Sequence, residues 1–208
     1  MSNSICRTNR LDCALVFGLI LAMLLTPLCR FGTECRQVEK EVLRLHILAN
    51  SDTPHDQAVK LAVRDAVLAG TGEMFASVES LADAEAAVTE NLALIEALAA
   101  EELVRRGEAP QVTAELRNMY FNTRYYDNAT MPAGRYEALR LTIGEGEGKN
   151  WWCVVFPPLC VEVAAKEKTP LTDKLEKLDA RPSYKLAFAS VELVEEICEK
   201  LRSVPHSY

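Results

Sequence analysis

The side chains with most chemical potential in this chain are cysteines and histidines. Cys153 and Cys160 are candidate nucleophiles, with His46 or His55 as the base that would activate one of them. Spacing along the chain neither supports nor excludes such a pair, because nucleophile and base meet only in the fold. Their immediate contexts favour plainer roles. Cys153 stands between Trp152 and Val154 in a run that reads as core, and a thiol in apolar surroundings stays protonated and inert. His46 falls in the middle of an apolar stretch. His55 sits at a helix start, where the helix dipole disfavours the imidazolium. Cys153 and Cys160 also allow a disulfide. An extended strand would hold them about 23 Å apart, so a bridge requires Pro157-Pro158 to turn the chain back. Two unlinked core thiols are the simpler expectation.

Metal and phosphate chemistry find less support. No C-x-x-C, H-E-x-x-H or C-x-x-H spacing is present, and three histidines leave little for a His-rich site. The run Asn50-Ser51-Asp52-Thr53-Pro54-His55-Asp56-Gln57 is polar and compact enough to suit a cation. It suits a strand-to-helix turn with local side-chain capping equally well, and the turn is the simpler expectation. Gly144-x-Gly146-x-Gly148 comes after a strand but leads into another strand, so it lacks the helix that a dinucleotide loop needs. No metal and no cofactor are expected.

These residues need a scaffold, and the sequence patterns it clearly. Residues 42–49 are apolar and compatible with a buried strand. Thr53 can cap the next helix, with Pro54 in the first helical position. Val59, Ala62, Val63, Ala66 and Val67 share one helical face, and Gly70 and Gly72 end it. Ser80-x-x-Asp83 opens a second, Ala- and Leu-rich helix running to Gly107. After Pro110 the period changes to two: Val112, Ala114 and Leu116 alternate with polar residues, and Phe121 to Tyr125 continue an extended segment. Turns are expected at Asp127-Asn128 and Pro132-Ala133-Gly134. Leu139, Leu141 and Ile143 mark the next strand, and Trp151 to Phe156 a last one, stopped by Pro157-Pro158. Short connections predict that these three strands form an antiparallel meander. Lys166 to Asp179 reads as a solvated linker with a helical turn or two, and Leu186 to Leu201 as a closing amphipathic helix. The fold class is α+β: a mixed, mostly antiparallel sheet with helices packed on one face.

A membrane or signal segment precedes this domain. Cys13 to Cys29 contains no charged residue, Arg7 and Arg10 precede it, and Asp12 and Arg30 bracket it. Its length is near the lower limit for a helix crossing the hydrocarbon core. The leading arginines predict export of the residues downstream of this run. Residues 1–35 are therefore read as a signal peptide or membrane anchor and 36–208 as one exported domain. Neither Ala-x-Ala nor a small residue before Cys29 marks a cleavage or lipidation site. The whole chain of 208 residues carries net charge −7. Without Arg7, Arg10, Arg30, Asp12 and Glu34 the exported part carries −8, and that sign argues against a nucleic-acid partner.

Two stretches are too unusual to be generic. One is Leu43-Arg44-Leu45-His46-Ile47-Leu48-Ala49-Asn50-Ser51-Asp52, with Asp56-Gln57 and Lys60-Leu61-Ala62-Val63-Arg64-Asp65-Ala66-Val67 after it. The other is Asn150-Trp151-Trp152-Cys153-Val154-Val155-Phe156-Pro157-Pro158-Leu159-Cys160. With Pro132-Ala133-Gly134-x-Tyr136-x-Ala138-Leu139 between them, the chain resembles stage II sporulation protein R of endospore-forming bacteria over roughly residues 40–163. Glu162-Val163 departs from the expected pattern after Cys160. The resemblance implies a signal made in the forespore, exported into the space between the two membranes. There it would activate a membrane-embedded aspartic protease of the mother cell, which processes an early sigma factor precursor. It implies an activator rather than an enzyme, and the chain has no Asp-Thr-Gly or Asp-Ser-Gly loop of its own. The family brings no catalytic residues to transfer. Candidate contact residues are therefore chosen for their chemistry: the polar set Asn50, Ser51, Asp52, Asp56 and Gln57, and the apolar set Trp151, Trp152, Pro157 and Pro158. The rival reading is an exported Cys-dependent hydrolase or thiol enzyme of the cell envelope.

Overall fold

The strand β1 (Leu43–Leu48) has Leu43, Leu45 and Ile47 on one face and Arg44, His46 and Leu48 on the other, and five of its six residues are buried. Such a strand is stable only in the middle of a sheet covered on both sides. The computed structural model, which describes residues 2–75, 78–126, 129–157, 170–180 and 184–203, places it there. Pro158 and Cys160, the Asp127-Asn128 turn, Glu162-Val163 and the start of the 166–179 segment lie outside the described residues.

The chain begins with α1 (Ser2–Glu39), succeeded by β1, α2 (Pro54–Thr71), α3 (Leu81–Glu90) and α4 (Leu92–Arg105). Next come β2 (Val112–Phe121), the short pair β3 (Arg124–Tyr126) and β4 (Ala129–Met131), β5 (Gly134–Ile143) and β6 (Asn150–Phe156). The helices α5 (Pro170–Asp179) and α6 (Tyr184–Ser203) close it. The main sheet has the order β2-β5-β1-β6, and β3 and β4 pair antiparallel in a separate ribbon. β1 runs parallel to β5 and antiparallel to β6, and β2 runs antiparallel to β5. The α+β class and the mixed, mostly antiparallel sheet are as expected. The meander is not: β1 inserts between β5 and β6. The reason lies in burial, since β1 has two faces to cover, with Arg44 and His46 buried on one of them, whereas β2 alternates half-buried and exposed residues and can form an edge.

Helices α2, α3 and α4 cover one face. Thr53 caps α2 by accepting from the Asp56 amide, and Ser80 and Asp83 form a reciprocal capping box on α3. The single helix expected from 80 to 107 is broken at Asn91, whose side-chain amide donates to the Ala87 carbonyl. The core on this side joins Leu45, Ile47, Val63, Val67, Ile95, Leu103, Leu141 and Cys153.

The second face is covered as well, where the sequence led to the expectation of helices on one face alone. Phe31, Cys35 and Val38 of α1, Leu171, Leu175 and Leu178 of α5 and Phe188 of α6 pack on Phe121, Tyr136, Ala138 and Val154 of the sheet. Phe31 and Phe188 meet edge to face at 4.9 Å. Pro170 to Asp179 is thus a docked helix, not the expected solvated linker. Its Leu171, Leu175 and Leu178 lie one turn apart on one face. Before Phe31, α1 projects from the domain. Leu15, Phe17, Leu19, Ile20 and Met23 are exposed, and the helix is long and apolar enough to cross a membrane.

Candidate functional site

The polar run between β1 and α2 lies against the turn joining β5 to β6. Asn50 ends the strand and reaches both ways: its Nδ2 donates to Asp56 Oδ2 at 3.0 Å, and its Oδ1 accepts the Glu145 amide at 3.1 Å. Ser51 Oγ donates to the same Asp56 oxygen at 2.5 Å. Gln57 Nε2 donates to the Ser51 carbonyl at 2.9 Å, and Asp52 Oδ1 accepts the Lys149 amide at 2.6 Å. These bonds hold the Asp56 carboxyl below its ordinary value, chiefly through Ser51 and Asn50. The structure therefore brings Asn50, Ser51, Asp52, Asp56 and Gln57 together, and commits their polar atoms to one another and to the turn.

Three residues of this site escaped sequence reasoning. Lys60 is buried among valines, donates to Gln57 Oε1 at 2.6 Å and to the Lys149 carbonyl at 2.9 Å, and has its pKa lowered by desolvation. A lysine beside Val59 and Val63 on the buried helical face was its signal. Glu108 meets His55 Nε2 at 2.5 Å, which raises the pKa of this exposed histidine, opposite to the effect expected from the helix start. Gly144 has φ +56° and no room for a Cβ against Asn50. Only glycine suits both demands. Asn50, Asp56, Glu108, Gln111 and Gly144 border a cavity of about 120 Å³.

The two tryptophans point to opposite faces, as strand alternation requires. Trp151 is half-buried beside α2, with the Arg64 guanidinium over its ring at 4.5 Å. Trp152 is half-buried on the other face, stacked on His46 at 4.0 Å and 2° and edge-on to Phe121 at 4.7 Å. Neither is a freely exposed anchor. Pro157 is half-buried at the end of β6, after a cis peptide from Phe156. Close by, Arg44 is fully buried, bonded to the Tyr126 hydroxyl at 2.9 Å and lying over Phe121 at 4.2 Å.

The nucleophile–base pair weighed for Cys153 does not form. Cys153 pairs in register with Leu45 and belongs to the helix-covered core, whereas His46 faces the opposite side of the sheet with Trp152. Cys153 is moreover in a disulfide whose partner lies outside the described residues, so it is not the unlinked thiol expected. The His46 ring is buried, neither nitrogen has a hydrogen-bond partner of normal geometry among the described residues, and desolvation lowers its pKa to about 4. Weaker influences oppose each other: Asn150 favours the charged ring, while Arg140 and Arg44 repel it. His46 is a neutral aromatic at physiological pH.

The geometry thus describes a rigid, hydrogen-bonded surface where the β1–α2 connection, the β5–β6 turn and Trp151 adjoin. In comparison with known proteins, a family model described as Stage II sporulation protein R matches residues 39–166, from the end of α1 past β6. Stage II sporulation protein R of Bacillus subtilis (strain 168) is 38% identical over 123 residues, 59% of this chain. The chain spans 55% of the length of that curated relative. No solved structure matches.

Proposed function

Because the chain belongs to the stage II sporulation protein R family, and so has a role in sporulation, we propose that it is an exported signal that acts by binding. On this reading it leaves the forespore through its N-terminal apolar helix and activates a membrane-embedded aspartic protease of the mother cell. That protease then processes the early sigma factor precursor. The observation that carries the reading is the family match across residues 39–166, which includes the whole polar cluster and β6. The cluster supports contact rather than turnover: its carboxylates and amides are held in fixed positions by internal hydrogen bonds, which suits recognition without reorganisation. Asp52 and His55 remain exposed on its rim.

The test is reconstitution. The full chain, the protease and the precursor are co-expressed with this chain exported to the far side of the membrane. Processing of the precursor that depends on this chain supports the proposal. An unprocessed precursor, with both partners present and the chain correctly exported, defeats it.

A further inference from the structure

The closing helix α6 docks the wrong way round for a domain surrounded by water. The spacing of Val191, Val194, Ile197 and Leu201 suits a buried face, yet among its described residues Phe188 alone is fully buried, with Ala187 and Val191 packed beside it. Its glutamates take the inner side instead. Glu199 accepts from Arg135 Nη1 at 2.7 Å, and Glu195 is in electrostatic reach of Glu39 at the end of α1. Burial, together with the charges of Glu192, Glu196, Glu195 and Glu199, pushes the Tyr120 hydroxyl up to about 12. The apolar side faces out: Leu193 is 58% exposed, Val194 54%, Ile197 49% and Leu201 69%. Leu193, Ile197 and Leu201 follow one another at one-turn intervals and form a ridge, flanked by the Glu196–Lys200 pair at 3.7 Å. An amphipathic helix in water turns its apolar face to the core, so this ridge marks a contact surface.

What lies beside the ridge identifies what covers it. Val191 and Val194 share a groove of about 240 Å³ with Leu28, Cys29 and Gly32 of α1. Leu28 is the last exposed large apolar residue on α1, after Met23 and Leu25, and the Arg30 side chain just beyond it is 80% exposed. A bilayer that takes up the exposed run from Leu15 to Leu28 therefore has its hydrocarbon edge near Leu28 and its headgroups level with Arg30. The headgroup layer is about 5–8 Å deep on each side, and a helix is about 10 Å across. The part of α6 that borders Leu28 thus sits at that layer. Lys200 and Arg202, both well exposed, stand at the C-terminal end of the ridge, as cationic residues do on helices lying in a membrane interface.

We propose that α6 is an interfacial helix: in the chain anchored by α1, Leu193, Val194, Ile197 and Leu201 rest in the headgroup region of the bilayer that α1 enters. The occupant is lipid because the ridge continues, through the Leu28 groove, the exposed apolar surface of α1 that demands hydrocarbon. The domain is then held to the membrane at two places, and its tilt is fixed. The layer of α2, α3 and α4, across the sheet from α6, is turned away from the lipid. The inference requires α1 to stay joined to the domain and is independent of any action on a protease.

The test uses the full chain in vesicles of phosphatidylethanolamine and phosphatidylglycerol, with Cys6→Ser, Cys13→Ser, Cys29→Ser and Cys198→Ser. Cys35 is fully buried and Cys153 is disulfide-bonded, so an environment-sensitive dye reports on one added thiol. That thiol is Leu193→Cys, Ile197→Cys or Leu201→Cys on the ridge, or Leu94→Cys on exposed α4 as the control. A nitroxide carried on lipid headgroups should quench the ridge dyes several-fold more than the control. Leu193→Glu with Ile197→Glu should bring the Leu201→Cys dye down to the control level. The same pair should leave the urea midpoint in detergent unchanged, since both side chains are exposed in the fold. Ridge dyes quenched no more than the control would overturn the proposal. So would ridge dyes shielded from water yet not reached by the nitroxide, or quenching lost when chains are diluted to single copies among vesicles; both would assign the ridge to another protein surface. A vesicle preparation whose mass shows α1 removed would overturn it as well. Precursor processing is read in none of these arms, so failure here leaves the activator reading standing.

Discussion

Replacing His46 by Phe should remove a pH dependence that the wild-type fold cannot avoid. The ring is 3% exposed and lies parallel to Trp152 at 4.0 Å, so Phe keeps the stacking and the volume. Desolvation lowers its pKa from 6.5 to about 4. At about 1.4 kcal/mol per pH unit, that gap corresponds to roughly 3 kcal/mol. Above pH 6.5 the ring is neutral in both folded and unfolded chains and adds no pH dependence. Between 6.5 and about 4 the unfolded chain takes up a proton that the folded chain refuses. The contribution of His46 to stability therefore falls as pH falls through this window. Glu39 and Glu85, raised by burial, and His55, raised by Glu108, act in the opposite sense, while the lowered Asp56, Glu102 and Glu199 act only below their ordinary values near 4. All are shared by wild type and variant and cancel in the comparison. Urea unfolding of the full chain in neutral detergent, stepped from about pH 7.5 to about 4.5, should show wild type losing about 2–3 kcal/mol more than His46→Phe. Near pH 7.5 the variant should be as stable as wild type or better, because two unpartnered ring nitrogens have gone. Parallel pH profiles would show that the ring reaches solvent or a partner, and would refute the reasoning.

Three further outcomes test other parts of the structure. Leu175→Ala should cost about 2–5 kcal/mol in the same unfolding assay, because Leu175 is fully buried in α5; a cost under about 0.5 kcal/mol would return α5 to a solvated surface segment. Gly144→Ala should cost about 1–3 kcal/mol through its positive φ and its crowding of Asn50; in an Asn50→Ala background, itself weakened by the loss of the bonds to Asp56 and Glu145, the same change should cost less, because only the backbone part remains. Cys153 should resist iodoacetamide in the unfolded chain until a reductant is added, as read by peptide mass, whereas Cys29 and Cys198 label without it.

Much of the scaffold is visible in local pattern. The valine face of α2, the caps at Thr53 and Ser80, the alternation of β2 and the leucine- and isoleucine-rich β1 are each a property of a few neighbouring residues. So is the grouping of Asn50 to Gln57, since a strand running into a capped helix compresses these residues into one turn. Strand order was not legible, because nothing within β5 or β6 states that β1 will lie between them. The helix at Pro170–Asp179 was hidden by its charges, although Leu171, Leu175 and Leu178 show the spacing of a buried face. Lys60 and Glu108 joined the site only because α2 and the end of α4 pack beside the β5–β6 turn.

The linear chain by itself determined the family, the apolar N-terminal segment and most of the secondary elements, because each rests on residue types at short separations. Tertiary structure alone decided that Cys153 and His46 face opposite sides of one sheet, that a second layer of helices encloses Arg44, and that the last turns of α1 are core. Those outcomes depend on contacts between segments far apart in sequence, and burial of a two-faced central strand is the physical demand that selects among them.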